Sequence, residues 1–487
     1  MKQTRLWLTT IAVLLCSLTA SAHDFSVGGI YYKITSSTDL TVAVTYRGDF
    51  YNSYSNEYSG TVTIPSTVTY NSKTYSVTSI GSYAFEDCDR LTAINIPEGV
   101  TSIGEGAFSS CDRLTAITIP EGVTSIGNDA FFFCSNLTSI TIPEGVTSIG
   151  SDAFCGCSSL TAITIPASVT SIGSDAFCNC SSLTSITIPE SVMSIGEKAF
   201  SGCTGELIVN CNIPSAETYS SGAFYDSKFS KVTIGNNVTS IGDYAFENCS
   251  GLTAITIPES VTSIGNSTFY NCTKLSSIDM PESMTSIGEN AFSGCRALTA
   301  IDIPEGVTSI GDYAFSDCSG LTAITISGNV TSIGDGTFYN CRALTSIDIP
   351  EGVTSIGNSA FYNCRGLTAI TIPEGVTSIG DKALCGCRGL TAITCKAAIP
   401  PYIESSATFT SVDKSIPIYV PVGSVEAYKA ATGWSDFTNY VGEETSIEKL
   451  EIINHKPTLI YDLHGRRVTN IEKPGIYIVD GRKVVIK

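Results

Sequence analysis

The sequence predicts a mainly β protein built as one elongated solenoid, an array of about fourteen short coils closed by a cap at each end. Three observations predict it. Cys88, Cys111, Cys134, Cys157, Cys180 and Cys203 stand 23 residues apart, as do Cys249, Cys272, Cys295, Cys318, Cys341, Cys364 and Cys387. Phenylalanines keep the same period from Phe85 to Phe200 and from Phe246 to Phe361, with Leu384 in their place in the last unit. Between them, isoleucines, a proline and a glycine return at fixed phase. A chain of 487 residues would otherwise suggest several domains, but stacked coils absorb that length in a single body.

In chain order, residues 1–22 read as a secretory signal: Lys2 and Arg5 form a basic start, Leu6 to Leu18 an apolar stretch, and Ala20-Ser21-Ala22 a small-residue cleavage site. A lipoprotein reading through Cys16 is disfavoured by the bulky Leu15 before it. No later segment reaches the roughly 20 apolar residues that span a bilayer. The mature chain is expected to be exported and to begin near His23. Residues 23–76 form an N-terminal cap rich in tyrosine, with strands expected over Ile30 to Ile34, Leu40 to Tyr46 and Thr61 to Ile64. Such a cap is needed because an open solenoid exposes unpaired strand edges.

The array spans residues 77–395. A typical unit starts at Leu114, whose side chain joins Ile117 and Ile119 in pointing inward from a short parallel strand, the leucine-rich pattern. Pro120 ends that strand because it has no amide to pair. Val123 and Ile126 enter the core from the opposite side. Gly127 is expected at a corner needing a backbone angle closed to other residues, and Ala130, Phe131 and Cys134 are expected to form about one turn of helix. One cysteine per coil at constant phase reads as a buried row of small apolar side chains rather than a disulfide framework. Cys155 and Cys178, at equivalent places in adjacent units, leave one optional bridge open. With coils about 4.8 Å apart, the array should be roughly 65–70 Å long.

The period breaks once. Between Cys203 and Cys249, the stretch from Gly205 to Phe229 loses the row cysteine and sets Phe224 one residue late, and its Glu217 to Gly222 tract reads as a surface bulge. That bulge serves as a bend or binding loop on one reading and as a tolerated irregularity on the other. Residues 396–441 form the C-terminal cap, with a strand over Ile416 to Val420, a short helix over Ser424 to Ala431, and Trp434 and Phe437 as its seal. A linker and a small β unit occupy residues 442–487.

Composition excludes some partners and discourages chemistry. Acidic residues outnumber basic ones 46 to 27, for a net charge of -19, so a nucleic acid or an anionic membrane surface is not expected as partner. The three histidines, His23, His455 and His464, all lie outside the array, which removes the commonest general base and metal ligand from the largest surface. No nucleophile elbow, phosphate loop or dinucleotide fingerprint is present. The Cys-x-Cys pairs recur with the repeat and lack the histidine partners of a zinc site. No enzyme activity, metal or cofactor is expected.

Two exposed features carry the candidate sites. Glutamates following the strand-ending proline, among them Glu98, Glu121, Glu144 and Glu259, read as a solubilising edge or a cation-binding one. The exposed face of the principal strand carries Thr256, Asp279, Asp302, Thr325, Asp348 and Thr371, a hydroxyl row with an acidic segment. This row suits a protein or glycan platform; equally, threonine suits any exposed strand. Tyr339 and Tyr362, at matching places in adjacent units, serve as paired anchors or as cover for the turn edge.

The unit Leu-x-x-Ile-x-Ile-Pro…Ser-Ile-Gly…Ala-Phe-x-x-Cys, from about Val77 to Cys395, resembles that of the BspA-like leucine-rich-repeat surface proteins of Bacteroidetes-type bacteria. Asp24-Phe25…Gly29-Ile30-Tyr31-Tyr32 and Tyr419-Val420-Pro421…Ala427-Tyr428 resemble the caps of such proteins, and the tail from Ile460 resembles the terminal β unit of Bacteroidetes secreted proteins, including sorting domains. The resemblance implies a secreted or outer-surface adhesin or interaction scaffold, binding a host extracellular-matrix or cell-surface protein. A glycan-binding module and a spacer presenting the C-terminal unit are the alternatives.

Overall fold

Hydrogen bonds between the backbones of successive coils set the architecture. The computed structural model describes residues 22–51, 56–443, 460–462, 475–479 and 482–486, and about 16 coils stack at the expected spacing. Principal strands such as Ala116–Thr118 and Ser139–Thr141 pair in parallel with Ile117 opposite Ile140. On the next side of the coil, Ser125–Ile126, Ser148–Ile149, Ser171–Ile172 and Ser194–Ile195 continue a second parallel row in the same register. In both rows the isoleucine is buried, because alternate side chains of an extended segment point to opposite faces. The strand before Pro120 ends at Thr118, and the Pro120 carbonyl accepts the Val123 N–H at 3.0 Å, turning the chain.

The third side corrects the expected helical turn: among the described residues helix makes up only 2% of the chain, and none of it lies in the array. In the coil around Phe292, Ala291, Ser293 and Cys295 donate to the carbonyls three residues back, at 3.4, 3.0 and 3.1 Å. The intervening Asn290, Phe292 and Gly294 donate instead to Asp312, Ala314 and Ser316 of the next coil, at 2.9, 2.8 and 2.7 Å. A helix would keep all six bonds within its own turn and leave the neighbouring coil unpaired. The alternation requires left-handed backbone at Asn290 and Gly294, with φ of 55° and 78°. Asn, Asp, Ser and Gly hold most equivalent positions, the residues for which that region costs least.

Stacking converts each repeated residue into a continuous interior row. Phenylalanine rings from Phe85 to Phe361 lie 4.9–5.8 Å apart and within 23° of parallel, all fully buried. Such pairs add about 0.5–1.5 kcal/mol each beyond the burial of the rings. The row cysteine does more than fill space. Cys295 Sγ donates to the Phe269 carbonyl of the preceding coil at 3.3 Å, and that carbonyl also accepts the Cys272 N–H at 3.1 Å. Equivalent thiol bonds recur from Cys111 to Phe85 through to Cys387 to Phe361. Gly127 also has a different role from the one expected. It has no left-handed φ; a Cβ there would lie 2.6 Å from the Gly104 carbonyl carbon, so glycine permits coil-to-coil contact.

Both caps extend these rows. In the N-terminal cap, Phe25–Val27, Ile30–Ser36 and Thr41–Thr45 form a meander whose last strand pairs with Lys73–Ile80, which leads into the Ser-Ile row. Tyr58 packs its ring 4.6 Å from Phe85, heading the aromatic row. At the other end, Leu384 does not close the array. The Leu384 N–H bonds to the Thr408 carbonyl, and Phe409 takes the aromatic place one coil later, 5.2 Å from Trp434. Counting these end coils accounts for the difference between fourteen and about 16. The expected strand and helix fall at Pro417–Pro421 and Val425–Ala430, and a last strand, Asn439–Glu443, completes the sheet. Trp434 is fully buried, with its indole N–H on the Pro401 carbonyl at 3.0 Å.

Ile460–Asp462, Gly475–Val479 and Arg482–Ile486 form an antiparallel three-stranded sheet. The signal read over residues 1–22 lies, but for Ala22, outside the described residues. Two glycines separate contact from conformation as the reason for glycine. Gly288→Ala drives a Cβ to 2.6 Å from the Gly265 carbonyl carbon and should cost about 2–3 kcal/mol. Gly328→Ala meets nothing nearer than 3.6 Å and should stay within about 0.5 kcal/mol of wild type, both measured by chemical denaturation.

Candidate functional site

Three exposed surfaces run along the solenoid, one for each side of the coil. The first is the expected strand row. Thr256 pairs with Asp279 in register, Asp302 with Thr325, and Thr371 with Thr394. Thr256, Asp279, Asp302, Thr325 and Asp348 are exposed and Thr371 is half-buried. Asp348 lies outside any strand but keeps the phase of the row. The cause of this exposure is local: the apolar residues on either side, isoleucine everywhere except at Met280, turn inward, so the side chain between them faces solvent.

The turn side holds the remaining expected residues. Tyr339 and Tyr362 stack at 4.8 Å and 6°, as their matching phase requires. Each therefore turns one ring face on the other. Burial, with Tyr362, Asp317 and Tyr313 nearby, raises the Tyr339 phenol above its ordinary range. Tyr313 lays its ring over Gly336, where any Cβ would collide with it. The eight expected residues thus divide between two surfaces rather than forming one patch.

Sequence reasoning missed most of this turn side. Tyr51 of the N-terminal cap stacks on Tyr83 at 4.4 Å, and Phe132 packs edge-on against Phe133, a residue 49% exposed. Carboxylates lie among these rings. Asp129, Asp152 and Asp175 occupy one row in consecutive coils; each is raised first by burial, and Asp129 and Asp152 further by the next acid along. The Tyr83 hydroxyl donates to Glu105. One oxygen of Glu86 is buried without a hydrogen-bond partner among the described residues, and burial, with Asp87 and Asp129 close by, pushes this carboxyl up from 4.5 to about 7. The available signal was phase: aromatics and acids fall two residues before the row phenylalanine or one to two after it.

The Ser-Ile-Gly side carries a shallow groove of about 570 Å³ lined by Ser263, Ser286, Ser309 and Ser332 with Asp243, Asn266, Glu289 and Asp312. Its polar groups brace the stack. Asp243 Oδ1 accepts the Asn266 N–H at 2.6 Å, Asn266 Oδ1 accepts the Glu289 N–H at 2.8 Å, and Asp312 Oδ1 accepts the Asp335 N–H at 2.8 Å. Among the described residues no group of three His, Cys, Asp or Glu side chains converges to hold a metal. The row thiols are unreactive by burial, which pushes Cys134 up to about 12. The Cys155 thiol donates to Cys178, which keeps Cys155 protonated and pulls Cys178 down.

Comparison with known proteins places this geometry. A family model described as BspA type leucine rich repeat region matches residues 78–206, 217–344 and 285–415, in six copies. A leucine-rich repeat protein from Bacteroides ovatus is 26% identical, with 86% of this chain and 100% of that one covered and a TM-score of 0.59. A leucine-rich cell surface protein from Faecalibacterium prausnitzii is 34% identical, with 66% and 94% covered and a TM-score of 0.39. No curated protein gives a significant match. No helix among the described residues is long and apolar enough to cross a membrane.

The carboxylates of the turn side give a pH prediction. Glu86 is raised in the fold, so its charged form opposes folding, and stability falls as pH rises from about 4.5 through about 7. Glu86→Gln should flatten that slope and raise stability at pH 8 by about 1 kcal/mol, solvent screening being allowed for. Melting temperatures of both proteins at pH 5.5 and pH 8 check this; parallel pH profiles would contradict it.

Proposed function

Since this chain belongs to the BspA-type leucine-rich-repeat family, we propose that it is a secreted or outer-surface interaction scaffold that binds a host extracellular-matrix or cell-surface protein. One observation carries the reading: interior rows repeat from coil to coil while the exposed turn side varies. Phenylalanine holds the buried row from Phe85 to Phe361, yet the position two residues earlier reads Tyr83, Gly106, Asp129, Lys198 and Tyr313 in different coils. Varied side chains on a rigid, regular support are what discrimination between partners needs.

The signal over residues 1–22 supports export, and the tail resembling a sorting domain supports delivery to the outer surface. The strand row supplies an acidic segment at Asp279, Asp302 and Asp348 within a hydroxyl-rich surface. The turn side supplies aromatic groups of the kind that dominate binding energy at protein interfaces. A glycan ligand is less well served. Sugars stack on open ring faces, whereas Tyr339 and Tyr362 each give one face to the other.

Binding of the mature protein to arrays of host matrix proteins and glycans, at two salt concentrations, tests the proposal. Saturable protein binding that weakens with salt is the expected outcome. Glycan-only binding would replace this reading with the glycan module, and silence on both arrays would replace it with the spacer. Replacing Asp279, Asp302 and Asp348 together with threonine should leave the fold intact and change affinity for a partner so found by about threefold to tenfold. Unchanged affinity would remove the strand row from the site.

A further inference from the structure

The coil between Cys203 and Cys249 is the one that breaks the period. Phe224 nevertheless keeps the aromatic row, 5.4 Å from Phe200 and 4.9 Å from Phe246. Ser227 takes the place of the row cysteine, buried and 3.2 Å from Cys249 Sγ. The register shift between this coil and the next is absorbed between Gly205 and Glu206. The interior is thus unbroken, and the irregular part of the coil is a surface loop.

That loop is held in a fixed place. The Glu247 carboxylate, only 2% exposed as a residue, accepts the Ser220 N–H at 2.7 Å. The Ser221 hydroxyl donates to the Thr218 carbonyl at 2.7 Å, and the Ala216 N–H donates to the Asp243 carbonyl at 3.0 Å. What the loop presents is Tyr219. The residue is 53% exposed, and its ring lies 4.8 Å from Tyr244 at 58° and 5.9 Å from Tyr270 at 73°. Tyr244 and Tyr270 come from the next two coils, so the loop sets a third, exposed ring against two that the regular repeat supplies.

Unlike the parallel pair at Tyr339 and Tyr362, these rings do not lie face to face, and Tyr219 is exposed. Burial raises the Tyr244 phenol, as do Tyr219 and the carboxylates Asp243, Glu247 and Glu289 around it, while Lys198, bonded through its N–H to the Gly222 carbonyl, sets its ammonium over the Tyr225 ring. Electron-rich ring faces beside carboxylates favour a cation. We propose that Tyr219, Tyr244 and Tyr270 form an anchor for arginine or lysine side chains of a basic polypeptide segment in the partner. This rests on the protein-scaffold reading above and assigns the irregular coil its purpose.

The test uses the full mature chain and a fluorescent nonaarginine peptide, with nonaglutamate as control, at about 150 mM salt to suppress long-range attraction. Tyr219→Ala should weaken nonaarginine binding by about threefold to tenfold, while Tyr219→Phe should remain within about twofold. Tyr219→Leu keeps a bulky apolar group over Tyr244 and should lose affinity as the alanine variant does. Tyr362→Ala should have no effect. Equal affinity of wild type and Tyr219→Leu, with unchanged melting temperature, would overturn the anchor. If protein arrays stay silent while nonaarginine binding depends on Tyr219, the scaffold reading falls and the anchor stands. An array partner found alongside nonaarginine binding that ignores Tyr219 gives the reverse.

Discussion

Every coil of this protein exists because the next coil accepts its backbone hydrogen bonds. A two-residue strand such as Ser125–Ile126 has no independent stability; it is extended because its amides and carbonyls are shared with Ser102–Ile103 and Ser148–Ile149. The same constraint acts at the turns, where alternate N–H groups leave their own coil for the next. Close backbone approach then excludes side chains at the Ser-Ile-Gly corner and places like residues in rows. Phenylalanine rings stack because they are in register, and each row thiol from Cys111 to Cys387 meets a phenylalanine carbonyl of the preceding coil for the same reason.

A frame fixed from within frees the outside. The irregular coil shows how far that freedom goes: Ser227 replaces a row cysteine and the surface loop grows outward, yet Phe224 remains in the aromatic row. Tyrosine and carboxylate recur on the turn side, at Tyr83 with Glu105 and at Tyr339 with Asp317. That combination gives the edge both apolar contact area and negative potential. Binding energy built this way comes from a few aromatic groups, with the acidic surroundings guiding approach.

Much of the fold was legible because period is visible in a single sequence. The spacing of Cys88, Cys111 and Cys134 shows that they share one environment before any strand is assigned, and Pro120 marks a strand end by its chemistry alone. The turn was misread as helical because Ala130, Phe131 and Cys134 show apolar spacing that a helical turn would also satisfy. The left-handed positions carried the contrary signal in residue types such as Asp129 and, in other coils, Asn290 and Gly294, although Phe133 gives none. The close approach at Gly127 was invisible because it depends on Gly104 of another coil. The candidate surface was legible only in part. Tyr339 and Tyr362 were found by their common phase, whereas Tyr219 meets Tyr244 and Tyr270 through a loop whose path no period describes.

The most direct test of coil-to-coil pairing is amide hydrogen exchange at the Ser-Ile-Gly corners. The N–H groups of Gly150, Gly173, Gly288 and Gly311 donate to the Ile126, Ile149, Ile264 and Ile287 carbonyls of the preceding coils at 2.9–3.0 Å, although these glycines are only half-buried. If stacking holds the fold together, these amides exchange as slowly as those of the buried phenylalanines, through opening of the whole array. Fast exchange there, with slow exchange at the phenylalanines, would mean that the interior rows hold the coils without the paired backbone and would contradict the account.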